Sequence, residues 1–97
     1  MPWKIVLAPE AVRDFRRLSA RDRANVRDAL EKHLRHEPAK VNRSRIKRLR
    51  GISKPQYRLR VGEIRVFYDI GESQVEVLAI VPKSSATEWL AEQGVEE

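Results

Sequence analysis

Two neighbouring stretches of the chain alternate apolar and polar residues, and two others place their apolar residues at helical spacing. Trp3-Lys4-Ile5-Val6-Leu7-Ala8 is rich in β-formers and predicts a first strand. Pro9 suits the first position of a helix, with Glu10 and Asp14 near its positive end, and Ala11, Phe15 and Leu18 recur on one face. Ser19-Ala20-Arg21-Asp22 resembles a capping box with Asp in place of Glu. It opens a second helix that carries Val26, Ala29, Leu30 and Leu34 on one side and ends at Pro38. Residues 39–55 form a basic connection punctuated by Gly51 and Pro55, with Ile46 and Leu49 as candidate anchors to the core. Gln56–Val61 and Ile64–Ile70 predict two strands around a tight turn at Gly62-Glu63, and Val75–Val81 predicts a third. Pro82 stops that strand, and Ser84–Glu92 predicts a last short helix closed by Gly94.

The expected order is therefore β-α-α-β-β-β-α. Three consecutive strands favour an antiparallel meander with the helices packed on one face. The fold class is α+β, a helical hairpin and a C-terminal helix on a small curved antiparallel sheet, and residues 1–97 form one domain without repeats or a dividing linker.

Composition narrows the function. The apolar fraction, 41%, suffices for a globular core. No apolar run approaches the length of a membrane span, and Glu10 interrupts the opening segment too early for a signal peptide. With no cysteine, disulfides and thiolate zinc sites are excluded, and a reducing cytoplasm is the expected setting. The net charge of +6 points to nucleic acid, acidic proteins or anionic membrane surfaces. From Lys40 to Arg60 there are nine Lys or Arg and no Asp or Glu. Such a run is often only a solvated face, but here it continues into an alternating strand.

A two-residue turn at Gly62-Glu63 sets Val61 opposite Ile64, Arg60 opposite Arg65 and Arg58 opposite Phe67. Alternation then turns Tyr57, Leu59, Val61, Ile64, Val66, Tyr68 and Ile70 to the core, and Arg58, Arg60, Arg65 and Phe67 to the other face. Like charges directly opposite one another repel, and an anion between them relieves the repulsion. Arginine suits a phosphate because its planar fork can hold two oxygens. The competing reading pairs these arginines with Glu63, Glu72 or Glu76 on an exposed face. His33 and His36, at i and i+3, lack further ligands and read as solvated side chains. Trp3 and Trp89 read as core or partner-facing aromatics. No Gly-rich phosphate loop, nucleophile elbow or catalytic carboxylate pair is present, which leaves the cations with Lys83, Ser84 or Ser85 for any chemistry.

The succession Arg48-Leu49-Arg50-Gly51, Tyr57-Arg58-Leu59-Arg60, Ile64-Arg65-Val66-Phe67-Tyr68, Val77-Leu78-Ala79-Ile80-Val81 and Pro82-Lys83-Ser84 resembles the RelE/ParE superfamily of type II toxins over nearly the whole chain. The resemblance implies a ribosome-dependent endoribonuclease that cleaves messenger RNA and inhibits translation, and a cognate acidic antitoxin that neutralises it. Partners are then the ribosome, its messenger and the antitoxin, with no membrane, no cofactor and no metal; a toxin–antitoxin heterotetramer is one assembly it allows. Arg58 and Arg60 match two basic strand positions usually filled by lysine in the RelE branch, and Arg65 matches its phosphate-stabilising arginine. Lys83 is the substitute acid or base. Lys47, Arg48, Arg50 and Ser84 are expected to bind RNA, and Trp89 and Leu90 the antitoxin. The chain departs from the branch where Ser84 stands in place of a basic residue, usually arginine, and where the later base-stacking tyrosine has no counterpart. Alternatives are a ParE-like inhibitor of DNA gyrase and a weakly toxic member that keeps antitoxin binding.

Overall fold

The computed structural model describes residues 2–97. Strand β1 (Lys4–Leu7) leads into α1 (Pro9–Arg17) and α2 (Ala20–Ala29), and α2 runs on through one π-turn at Leu30–Leu34. The strands β2 (Ile46–Arg48), β3 (Ile52–Lys54), β4 (Tyr57–Val61), β5 (Ile64–Ile70) and β6 (Gln74–Pro82) follow, then α3 (Lys83–Gln93) and β7 (Val95–Glu96).

The local signals act as expected. Pro9 occupies the first turn of α1, and Ser19 Oγ accepts the Asp22 amide at 3.1 Å, so one orphan donor at the start of α2 is satisfied. Gly62 takes φ 58° at the turn, a conformation that costs glycine little. Gly94 ends α3 for a steric reason: a Cβ there would lie 2.5 Å from the Leu90 carbonyl oxygen.

The sheet order is β1-β6-β5-β4-β2. The β4–β5–β6 meander is antiparallel, whereas β1 joins β6 in parallel, from Lys4 beside Gln74 to Leu7 beside Val77. The two helices of the hairpin connect β1 to the sheet and cover one face of it. Ala11, Val26, Leu30 and Leu34 meet Leu59, Val66, Tyr68, Val75 and Val77 in one buried cluster, with Phe15 and Leu18 packed against it. Where β1 ends, Asp14 of α1 takes over, and its carboxylate accepts the Ile80 amide at 3.0 Å. Tyr68 is fully buried, stacks on Tyr57 across the strand pair at 5.5 Å, and donates its hydroxyl to the Pro38 carbonyl at 2.7 Å. Burial pushes the Tyr68 phenol well above its ordinary pKa, so it stays a donor.

Two expectations need correction. The helices do not share one face: Phe67 points away from the α1–α2 core, is fully buried, and stacks on Trp89 of α3 at 4.9 Å and 7°. An outward phenylalanine on a central strand needs cover, and α3 supplies it. The connection at 39–55 is also more ordered than a loop, because β2 extends the sheet beside β4 and β3 pairs with β7. No described helix is long and apolar enough to cross a membrane.

The Tyr68 hydroxyl anchors the end of the helical hairpin to the sheet. Tyr68→Phe is expected to cost about 1 kcal/mol, since it leaves the Pro38 carbonyl without its donor. Thermal unfolding should show a midpoint lower by roughly 4–8 °C. An unchanged midpoint would mean that water already serves that carbonyl.

Candidate functional site: a cationic sheet face

The register of β4 on β5 is the expected one, with Val61 beside Ile64, Arg60 beside Arg65 and Arg58 beside Phe67. Strand β2 adds a further pair, Lys47 beside Arg58. On the face opposite the helical hairpin two rows therefore cross the strands. One runs Lys47, Arg58, Phe67, Ala79, and the other runs Arg60, Arg65, Val81. Each is cationic toward β2 and apolar toward β6. Phe67 and Ala79 are fully buried on the α3 side, while Lys47 and Arg60 are exposed.

Arg65 stands at the seam and is only 7% exposed. Its Nη1 donates to the Gly62 carbonyl at 2.8 Å and to the Ile64 carbonyl at 3.1 Å, so the turn itself orients the guanidinium. Burial, then the charges of Arg58 and Arg60, pull its pKa below the ordinary arginine value, against a weaker opposing pull from Glu63. A guanidinium starts so high that it remains charged at neutral pH. The ion pairs among the described residues join Arg17 to Asp14, Arg35 to Glu31, Lys40 to Glu37 and Lys54 to Asp69, and none reaches Arg58, Arg60 or Arg65. The reading that pairs these arginines with local glutamates therefore has no ion pair to rest on. Arg58 Nε is buried without an acceptor among the described residues, which is a costly state for a donor.

The other candidates divide. Lys83 and Ser84 open α3 beside the hairpin turn, where the Lys83 amide donates to the Glu63 carbonyl at 2.7 Å and both residues line a hollow with Glu63 and Pro82. Lys47, Arg48 and Arg50 do not lie on one face. Arg48 lies beside Tyr57 in the ladder, with its guanidinium 5.2 Å from that ring and donating to the Gln56 carbonyl at 2.8 Å, so it faces the other way from Lys47. Arg50 is exposed in the connection between β2 and β3. Trp89 and Leu90 are both half-buried, and Trp89 is engaged with Phe67. His33 lies near Arg45 and Lys32; burial first, and then those charges, hold its pKa below the ordinary histidine value. The pairing of Lys47 with Arg58 was missed in the sequence.

A buried arginine flanked by two more, with no carboxylate paired to it, makes this face of the α+β scaffold cationic. The sequence matches the family described as the ParE toxin of type II toxin–antitoxin systems over residues 5–86, and the chain belongs to that family. It is a type II toxin of the RelE/ParE kind. Its fold is similar to the toxin–antitoxin complex RelBE2 of Mycobacterium tuberculosis, at 26% identity and a TM-score of 0.69, covering 84% of this chain and 99% of that one. It is similar in fold to the RelB–RelE complex of Methanococcus jannaschii, at 18% identity and a TM-score of 0.66, over 87% and 96% of the two chains. The RelE–RelB complex of Pyrococcus horikoshii matches at 22% identity and a TM-score of 0.64, over 86% and 97%. No curated protein sequence matches significantly.

Arg60 and Arg65 repel across the strand pair in the free protein. Arg60→Gln is expected to stabilise it by about 0.5 kcal/mol at low salt, a rise of roughly 2–4 °C in midpoint. Chloride should erase the difference by screening the wild-type repulsion. Equal midpoints at low salt would show that solvent already screens the pair.

Proposed function

We propose that this toxin is a ribosome-dependent endoribonuclease that cleaves messenger RNA in the cytoplasm and so inhibits translation, with Arg60 and Arg65 as the cations that receive the scissile phosphate and Arg58 beside them on the same face. The observation that carries the proposal is Arg65, 7% exposed and without a carboxylate partner. In the reaction the ribose 2′-oxygen attacks its own phosphorus and gives up its proton to a base. The bond to the 5′-oxygen breaks, and an acid protonates the leaving oxygen. The products are a 2′,3′-cyclic phosphate and a 5′-hydroxyl end. Charge accumulates on the pentacovalent phosphorus, where fixed guanidinium groups in a partly dry site are most effective. Arginine is a poor base, so proton transfer falls to Lys83 or to groups of the ribosome. Lys47, Arg50 and Ser84 serve RNA affinity, whereas Arg48 faces away from the cationic rows.

The matched family description favours a second reading, a ParE-like inhibitor of DNA gyrase. The two separate in purified assays, because the first predicts messenger cleavage and the second predicts loss of gyrase supercoiling without it. In the first case Arg65→Ala should fold normally and cleave roughly 10²–10³ more slowly, as when an oxyanion donor is removed. Cleavage at the wild-type rate would remove Arg65 from the site.

The cognate partner is an acidic antitoxin. The three similar structures are themselves toxin–antitoxin complexes, which supports this. Helix α3 has no fully buried residue; its Trp89 stacks on Phe67 and donates its Nε1 to Glu10 Oε1 at 3.3 Å. The antitoxin segment docks beside α3 or displaces it, covering Trp89 and Leu90 and approaching the arginine face. Hydrogen exchange on the free toxin and on the complex should differ at residues 84–92 and 57–67. A complex that forms with neither region altered would place the antitoxin elsewhere.

A further inference from the structure

Beyond the Arg60–Arg65 row, the exposed edge of the sheet holds a second concentration of cations. A hollow of about 440 Å³ is lined by Val41, Asn42, Arg43, Arg45, Ile46, Lys47 and Arg58. It contains four cations and no acid. Its rim is built rather than loose. Asn42 Oδ1 accepts the amides of Ser44 at 3.2 Å and Arg45 at 2.6 Å, and the Asn42 amide donates to the Ile46 carbonyl at 3.0 Å. The Arg45 carbonyl accepts the Arg60 amide at 2.8 Å, which ties this turn to β4. Ile46 is buried in the core and fixes the base of the turn. Arg58 lines the hollow, and its Nε is the buried donor left without an acceptor among the described residues.

We propose that this hollow is a second phosphate-binding site, one that takes the phosphate adjacent to the group held by Arg60 and Arg65. Arg58 and Arg60 are two residues apart on one strand, so the two rows are about 7 Å apart. That matches the step between neighbouring phosphates of an extended single strand. Arg58 supplies its guanidinium from the wall of the hollow, and Arg43, Arg45 and Lys47 close around the oxygens of a phosphate held there. The preferred ligand is therefore a single strand with at least two consecutive phosphates, running from the turn at Gly62 toward the β2 edge. This inference rests on the RNA-cleaving reading for the identity of the strand.

The test uses 2′-O-methyl uridine oligonucleotides, which lack the attacking hydroxyl: a dinucleotide with one phosphate and a trinucleotide with two. Binding to the full-length protein is followed by NMR titration, including the Arg58 Nε–H resonance. Wild type should bind the trinucleotide roughly tenfold more tightly, as one added charge-assisted contact provides, with a salt slope steeper by about 0.7. The Arg58 Nε–H resonance should shift with the trinucleotide. An Arg43→Ala/Arg45→Ala variant should lose this increment and keep its dinucleotide affinity. An Arg13→Ala/Arg16→Ala variant, with the same loss of charge on exposed positions of α1, should keep the increment. The site is refuted if wild type shows no increment, if the Arg43/Arg45 variant retains it, or if the α1 variant loses it equally. A protein that shows the increment but never cuts messenger on ribosomes keeps the site and loses the endoribonuclease reading. One that cuts messenger without the increment loses the site alone.

Discussion

The turn at Gly62-Glu63 sets β4 against β5, and that register decides what every other element packs on. With Arg60 beside Arg65 and Leu59 beside Val66, one face becomes the core under α1 and α2 and the other becomes cationic. A slip of one residue would turn one strand over relative to the other, setting either Arg58 and Arg60 or Arg65 and Phe67 under the helices in place of that strand's apolar residues. The register is held by the Tyr57–Tyr68 stack and by a reciprocal clamp at the far end. There Asp69 accepts the Gln56 amide at 2.7 Å, and Gln56 Oε1 accepts the Ile70 amide at 2.8 Å. The buried cluster around Leu59, Val66 and Tyr68 must also offset the repulsion and desolvation of the arginines behind it.

The outer face is divided between two tasks. Toward β6 its residues are apolar and lie under α3; toward β2 they are cationic and uncovered, with Arg65 at the boundary. Helix α3 thus completes the fold by covering Phe67 and also bounds the cationic face on one side. Its end is retained by β7 pairing with β3, so the basic connection and the C-terminal segment support each other. A segment that displaced α3 would expose Phe67 and alter the surroundings of Arg65 together.

Much of this was legible in the sequence because the signals were local. Alternation through Tyr57–Ile70 and a glycine turn specify the hairpin register, and Pro9, Ser19, Pro38 and Gly94 mark helix ends. The motifs resembling RelE/ParE toxins identified the family that the match over residues 5–86 establishes. What escaped was non-local. Parallel pairing of β1 with β6 depends on chain segments some seventy residues apart. Strands β2, β3 and β7 are two or three residues long, too short for a periodic signal. The position of α3 on the far face followed from Phe67, an apolar residue among outward arginines whose need for cover could have been noticed. Splitting Lys47 from Arg48 required knowing that their stretch is a strand, since alternation sends them to opposite faces.

The central claim is that the cationic face acts on a messenger phosphate, and a toeprint of the purified toxin on messenger-programmed ribosomes tests it most directly. A cut in the ribosome-bound messenger, leaving a 2′,3′-cyclic phosphate, is the expected result. An intact messenger on ribosomes, together with arrested growth in cells that express the toxin, would contradict it and turn attention to gyrase.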